Sequence, residues 1–248
     1  MRALSGLFVA CLLAGCAVQA DRPLTVAEAQ RAAQANADIA IHYLRQGQLA
    51  EARERAARAL RQDADYVPAH LVAAEIEARL DQPQAAERHY RAALDIAPRS
   101  GPALNNYAGF LCGRGALRRA LDLYELAGSN RLYERRGLAL ANAGQCLADA
   151  GRHAEAMSYW RRALAAAPSQ RLALRGLIDG HLRRGETDAA WALFSRYTAD
   201  SRETPWALRL AARIARRAGD IERAEALTQR LRQRYPAADR PDAAAMTE

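Results

Sequence analysis

Gly47, Gly115, Gly151, Gly185 and Gly219 recur along the 248-residue chain at a nearly constant spacing, and Asp81 fills the place between the first two. The successive intervals are 34, 34, 36, 34 and 34 residues. A unit this short cannot bury its own apolar stripe, so units that repeat in register must stack on one another. Within each unit the pattern is the same. Five residues after each beat stands an alanine: Ala52, Ala86, Ala120, Ala156, Ala190 and Ala224. Four positions later a large side chain is usual, as in Tyr90, Tyr124, Trp160 and Phe194, with Ala56 and Thr228 in the outer units. A small residue returns at Ala59, Ala93, Ala127 and Ala163, and Pro98, Pro168 and Pro236 close three units. Proline stops a helix because it lacks the N–H and crowds the preceding turn.

This period of about 34 residues with its small–large–small pattern resembles the tetratricopeptide repeat. The expected fold is all-α: a solenoid of six helical hairpins, 33–66, 67–100, 101–136, 137–170, 171–204 and 205–238, wound into a right-handed superhelix. A first helix precedes each beat and a second follows it, with glycine supplying the left-handed turn between them. Alanine marks where the two helices approach closely. The first helices should line the concave face. Thr25 and Glu28 have the spacing of a capping box, which predicts a long first helix from about Val26 within the repeat region 25–238. Residues 239–248 lack apolar periodicity and are expected to be a disordered tail.

The formal net charge is +8, and all of the basic residues are arginine. Arginine without lysine beside so much alanine is a mark of GC-rich coding. Most arginines fall at solvated helix positions, without the interleaved aromatics that a nucleic-acid surface would want, so no nucleic-acid partner is expected. Arg209, Arg213, Arg216 and Arg217 share one helix face, which reads as a solvated basic face or as a contact for acidic protein or anionic headgroups.

The first residues read as an address. Met1 and Arg2 give a positive start, Leu4 to Ala14 an apolar run too short to span a bilayer, and Leu13-Ala14-Gly15-Cys16 a lipobox. This resembles bacterial lipoprotein signals. The resemblance implies a signal peptide at 1–15, diacylglycerol on the Cys16 thiol and a flexible lipidated stretch at 16–24. With alanine rather than aspartate at position 17, it also implies sorting to the outer membrane, facing the periplasm. Several acyl chains hold a protein where one is marginal.

Cys11 belongs to the signal, which leaves Cys112 and Cys146. In an oxidising compartment such a pair is expected as a disulfide. Cys112 is at position 12 of the first helix in repeat three and Cys146 at position 10 of the first helix in repeat four, and successive first helices pack side by side. Two buried free thiols are the alternative. Two cysteines alone are too few ligands for a structural metal, and no metal or cofactor is expected.

Around these cysteines lie the most distinctive stretches, Leu104-Asn-Asn-Tyr-Ala-Gly-Phe-Leu-Cys112 and Leu140-Ala-Asn-Ala-Gly-Gln-Cys146. Between them runs Ala127-Gly-Ser-Asn-Arg-Leu-Tyr133. Together with the lipobox and six repeats they resemble the type IV pilus biogenesis/stability lipoprotein family (PilF/PilW). Ala108, Gly128 and Arg131 depart from that family's pattern. The resemblance implies a pilotin, a lipoprotein that binds the pilus secretin and promotes its outer-membrane localisation and multimerisation. The candidate groove residues are Ala37, Ile41, Leu44, Leu71, Glu75, Arg79, Asn105 and Gly109. An apolar strip with polar edges suits a peptide and not a small-molecule substrate. Asn105 and Asn106 would either bond that peptide or tie repeat three to its neighbours, and Tyr107 would be core.

The rival readings are an enzyme and a general envelope adaptor. His42, His70, His89, His153 and His181 are scattered at unrelated repeat positions, and neither HExxH nor a phosphate-binding glycine loop occurs. Cys112 with His153 would be the one imaginable nucleophile pair, so no enzymatic activity is expected. A general adaptor lipoprotein for outer-membrane protein assembly would share the fold but would have no reason to carry the 104–146 motifs.

Overall fold

A computed structural model describes residues 24–199 and 203–239. The lipobox with Cys11 and Cys16, and most of the 239–248 tail, lie outside the described residues. Twelve α-helices and a terminal 3₁₀ turn, Pro236–Asp239, make up the described chain, which contains no strand. The helices pair as α1 (Val26–Arg45) with α2 (Leu49–Gln62), α3 (Val67–Arg79) with α4 (Pro83–Ile96), and α5 (Gly101–Gly113) with α6 (Leu117–Ser129). The pairs continue as α7 (Arg136–Asp149) with α8 (His153–Ala166), α9 (Arg171–Arg183) with α10 (Thr187–Thr198), and α11 (Pro205–Arg217) with α12 (Ile221–Arg234). The fold is a tetratricopeptide solenoid of six hairpins.

The beat residues make the turns. All five glycines have φ between 74° and 81°, and Asp81 has φ 55°. Aspartate is one of the few residues that enters this left-handed region at modest cost. Each turn closes with the same bond, from the N–H one residue after the beat to the carbonyl four residues before it. The lengths run from 2.8 Å, for Gln82 to Glu77 and Arg152 to Leu147, to 3.0 Å for Gln48 to Tyr43. That is the wide bond of a Schellman ending, which satisfies a carbonyl the helix would leave open. Upstream, Thr25 Oγ1 accepts from Glu28 N–H at 3.3 Å while the Glu28 carboxylate accepts from Thr25 N–H at 2.8 Å. This box starts α1 at Val26.

Within the hairpins, the alanines five residues after the beats are at most 1% exposed. No larger side chain fits where the two helix backbones meet. Each first helix packs on the next first helix, α1 on α3 through to α9 on α11, and no pair of second helices packs comparably among the described residues. The first helices are therefore crowded on the inner, concave side and the second helices splay on the outer side.

The one long interval has a local cause. The loops 63–66, 97–100 and 167–170 have four residues, whereas 130–135 between α6 and α7 has six. Its geometry is held by Asn130 Nδ2 donating to Arg99 O at 3.0 Å and by Asn130 Oδ1 accepting from Leu132 N–H at 3.0 Å. Tyr133 lies flat on Gly101, where a Cβ would sit 2.2 Å from the ring, so only glycine opens α5 here. The departure at Gly128 has the same kind of reason: a Cβ there would meet Leu140 Cδ2 at 2.5 Å.

Ion pairs stitch the outer side across repeats. Arg162 forms a two-pronged pair with Glu125 at 2.6 and 2.7 Å. Glu87 on α4 accepts from the Tyr107 hydroxyl of α5 at 2.7 Å, from Arg119 of α6 at 3.0 Å and from Arg91 at 2.9 Å. The Tyr107 bond first, and then Arg119, lower its pKa from 4.5 to about 2. A carboxyl whose folded pKa lies below its unfolded one stabilises the fold above pH 4.5, and loses that contribution as pH falls towards 2. Glu87→Gln should flatten the loss of stability over that window, read as urea midpoints by circular dichroism. Identical pH profiles for the two proteins would remove this assignment.

Candidate protein-binding cleft

The inner faces of α1, α3, α5 and α7 enclose a cleft of about 530 Å³. Its register is set by the beats. Ile41, Glu75 and Gly109 each stand six residues before a beat and all three line it, as do Leu44, Arg79 and Asn105. Six of the expected groove residues thus share one surface. Leu71 and Ala37 do not. Leu71 is drawn into the packing around Tyr90, Leu104 and Tyr107. Ala37 is 1% exposed and is buried against Ala33, Ala59 and Ala69. Ten residues before the beat, Ala37 is covered, Leu71 is half-buried in that packing, and Asn105 lines the cleft.

Two of the three charges on the cleft wall pair with each other, and Arg45 stands exposed beside them. Arg79 Nε donates to Glu75 Oε1 at 2.9 Å, and its Nη1 donates to Leu44 O at 3.1 Å, a carbonyl in the last turn of α1. The amides form a short ladder: Asn142 Nδ2 donates to Asn105 Oδ1 at 3.0 Å and Asn105 Nδ2 to Asn106 Oδ1 at 3.2 Å. Asn105 therefore ties repeat three to repeat four while also lining the cleft. Gly109 leaves room above Tyr124, whose hydroxyl oxygen would be 3.5 Å from an added Cβ.

The floor comes from residues that a reading of the first helices alone misses. Tyr90 of α4 and Tyr124 of α6 reach inward from the second helices, and Phe110 completes the aromatic surface. Tyr90 stacks on Tyr107 with centroids 5.3 Å apart and packs on Phe110 at the same distance. Burial raises both phenols, Tyr124 to about 12, so they remain protonated at neutral pH. Their signal in the sequence was the bulky position nine residues after the beat.

Cys112 of α5 and Cys146 of α7 are joined, with Cα atoms 5.9 Å apart. They sit one turn from Gly109 and Asn142 respectively, so the bridge clamps two adjoining walls of the cleft. With its sulfur in the bridge, Cys112 offers His153 no nucleophile. The other histidines are engaged separately: His42 with Gln46 at 3.0 Å, His70 with His89 at 3.2 Å, and His181 with Glu186 at 2.7 Å. Among the described residues no group of three or more His, Cys, Asp or Glu side chains could hold a metal ion.

What this cleft can do is grip a chain: aromatic and aliphatic floor, amide donors and acceptors, and a wall where Glu75 and Arg79 are paired beside Arg45. No protein-family model matches the sequence. It is 25% identical over 226 residues to the type IV pilus assembly protein PilF of Pseudomonas aeruginosa, an alignment covering 90% of each chain. The solved structure of Pseudomonas aeruginosa PilF superposes with a TM-score of 0.67 at 23% identity, covering 88% of this chain and 97% of that one. The crystal structure of PilW, described as a widely conserved type IV pilus biogenesis factor, gives 0.65 at 27% identity, covering 87% and 98%.

Proposed function

We propose that this chain, a homologue of the type IV pilus biogenesis proteins PilF and PilW with their tetratricopeptide-repeat fold, is an outer-membrane pilotin. It is lipidated at Cys16, faces the periplasm, and binds the pilus secretin to promote its localisation and multimerisation. The observation that carries this reading is the extent of the likeness to PilF, which runs over 90% of both chains and includes the repeats that build the cleft. The chemistry is compatible. An aromatic floor with an amide ladder binds an extended or helical segment through its backbone and apolar side chains. Acyl chains on Cys16 would tether that grip to the membrane in which the secretin must assemble.

A chromosomal deletion should abolish surface pili and leave the secretin as monomers, both restored by the full gene. Cys16→Ser should lose incorporation of labelled palmitate and fail to restore multimers. Gly109→Leu, which fills the cleft, should keep the label and still fail. Normal secretin multimers in the deletion strain would sink the reading and leave a general envelope adaptor in its place.

A further inference from the structure

The inner face changes character halfway along. Aligned on the beats, the positions ten, six, three and two residues before each turn carry Ala37, Ile41, Leu44 and Arg45 in repeat one and Leu71, Glu75, Ala78 and Arg79 in repeat two. In repeats five and six the same positions hold six arginines and one acid: Arg175 and Arg183 on α9, Arg209, Arg213, Arg216 and Arg217 on α11, and Asp179. The four arginines of α11 line a hollow of their own with Thr228 and Leu231 of α12. A second cleft, of about 490 Å³, opens where α7, α9 and α11 begin. Arg135, Arg171 and Arg175 line it against one acid, Glu134, with Leu138, Leu172 and Trp206 as its apolar part. The Arg171 guanidinium lies 5.9 Å from the Trp206 ring centre. Asn142 lines both clefts.

We infer that this second cleft is a docking surface for an acidic peptide segment. Charge complementarity is the argument. Arg135 comes from the loop before α7 and Arg171 and Arg175 from α9, yet all three converge on this one cleft. Asp179 is matched by Arg213, whose Nη1 lies 3.2 Å from both carboxylate oxygens. That pair uses one nitrogen of a group that has five N–H donors in a planar fork suited to carboxylates. Shape selects a peptide over a membrane surface, because a bilayer is flat on this scale and cannot follow a concave wall, whereas an extended chain can. Trp206, Leu138 and Leu172 give such a chain apolar contact between its acidic residues. The inference stands whichever protein supplies the segment, and it does not depend on secretin binding.

The test uses the full chain and a fluorescein-labelled peptide of alternating glutamate and alanine, read by anisotropy. Binding should weaken steeply as salt rises, because solvent-exposed charges are screened over about 8 Å at physiological ionic strength. The triple variant Arg135→Gln, Arg171→Gln, Arg175→Gln should weaken it at least about tenfold, as loss of several complementary charges does. Arg58→Gln, Arg88→Gln, Arg161→Gln, which neutralises exposed arginines on second helices, should bind like the parent. Circular dichroism must show both triple variants folded, and Trp206→Phe, which keeps every charge, serves as a second variant that should bind more weakly through lost apolar contact. Equal affinity for a glutamine–alanine peptide would overturn the inference, as would equal loss in both triple variants. So would tighter capture by phosphatidylglycerol-containing vesicles, or by a single-stranded oligonucleotide, than by the acidic peptide.

Discussion

Replacing Trp160 with alanine is expected to lower stability by about 3–5 kcal/mol, the range for deleting a buried large aromatic side chain. The ring is 2% exposed on α8 and lies between two glycines of the neighbouring inner helices. A Cβ on Gly144 of α7 would come within 2.5 Å of Trp160 Nε1, and one on Gly176 of α9 within 2.4 Å of Cε2. The indole N–H donates to Ala141 O at 3.1 Å. The ring therefore packs on α7 of its own repeat and on α9 of repeat five, and a solenoid is held together through such nearest-neighbour surfaces. Trp160→Phe should cost less, since it keeps much of the area and forfeits one hydrogen bond. Gly176→Ala should cost about 1–3 kcal/mol by overpacking, because a flat rigid ring backed by Gly144 has nowhere to move. In Trp160→Ala the remaining tryptophans, Trp191 and Trp206, both lie in repeats five and six. Their fluorescence would then report on that half, while circular dichroism reports on all helices. The two urea transitions should separate. A single coincident transition at the parental midpoint would show that the ring does not couple these repeats.

The glycine clamp also shows what a repeat sequence reveals. Gly47 and its counterparts, and the alanines five residues after them, answer demands that almost no other residue meets: a positive φ and a backbone crossing. Such positions can be read by spacing alone. The seat of Tyr133 on Gly101 could not be, because it joins residues 32 apart through a ring orientation that no periodicity encodes. The cleft divides in the same way. Ile41, Leu44, Glu75, Arg79, Asn105 and Gly109 fall together because they inherit a common register. Leu71 and Ala37 inherit it too, but neighbouring helices cover them, and coverage depends on how each repeat is rotated onto the next. Tyr90 and Tyr124 escaped because period fixes where a side chain starts and not how far it reaches. Arg209, Arg213, Arg216 and Arg217 were visible as one face, while the convergence of Arg135 with Arg171 and Arg175 required stacking two repeats.

Reduction of the Cys112–Cys146 bridge is expected to cost about 3–4 kcal/mol, the loop-closure entropy returned to the unfolded chain when a cross-link spanning a few dozen residues is opened. The sequence separation is 34, two short of the 36-residue interval here, so the cross-link joins adjacent first helices at positions three and five residues before their beats. Elsewhere those helices meet through non-covalent contacts, such as Arg213 of α11 with Asp179 of α9 and Arg79 of α3 with Leu44 O of α1. Here the link is covalent, at the point where Asn105 and Asn142 form the amide ladder and where Gly109 opens the cleft. Two separable outcomes follow. Urea midpoints of oxidised and dithiothreitol-treated protein should differ by the stated amount, and the Cys112→Ala, Cys146→Ala double variant should match the reduced form while ignoring the reductant. Amide exchange in α5 and α7 should also accelerate more than in α1 or α11, since the released constraint is local in a solenoid whose repeats contact only their neighbours. Uniform acceleration along the chain would make the bridge a global staple. Unchanged midpoints would mean that the non-covalent contacts alone fix the spacing of these helices. A local effect would mean that the cleft walls are set covalently, so that a bound segment meets a surface already in place and loses little affinity to ordering it.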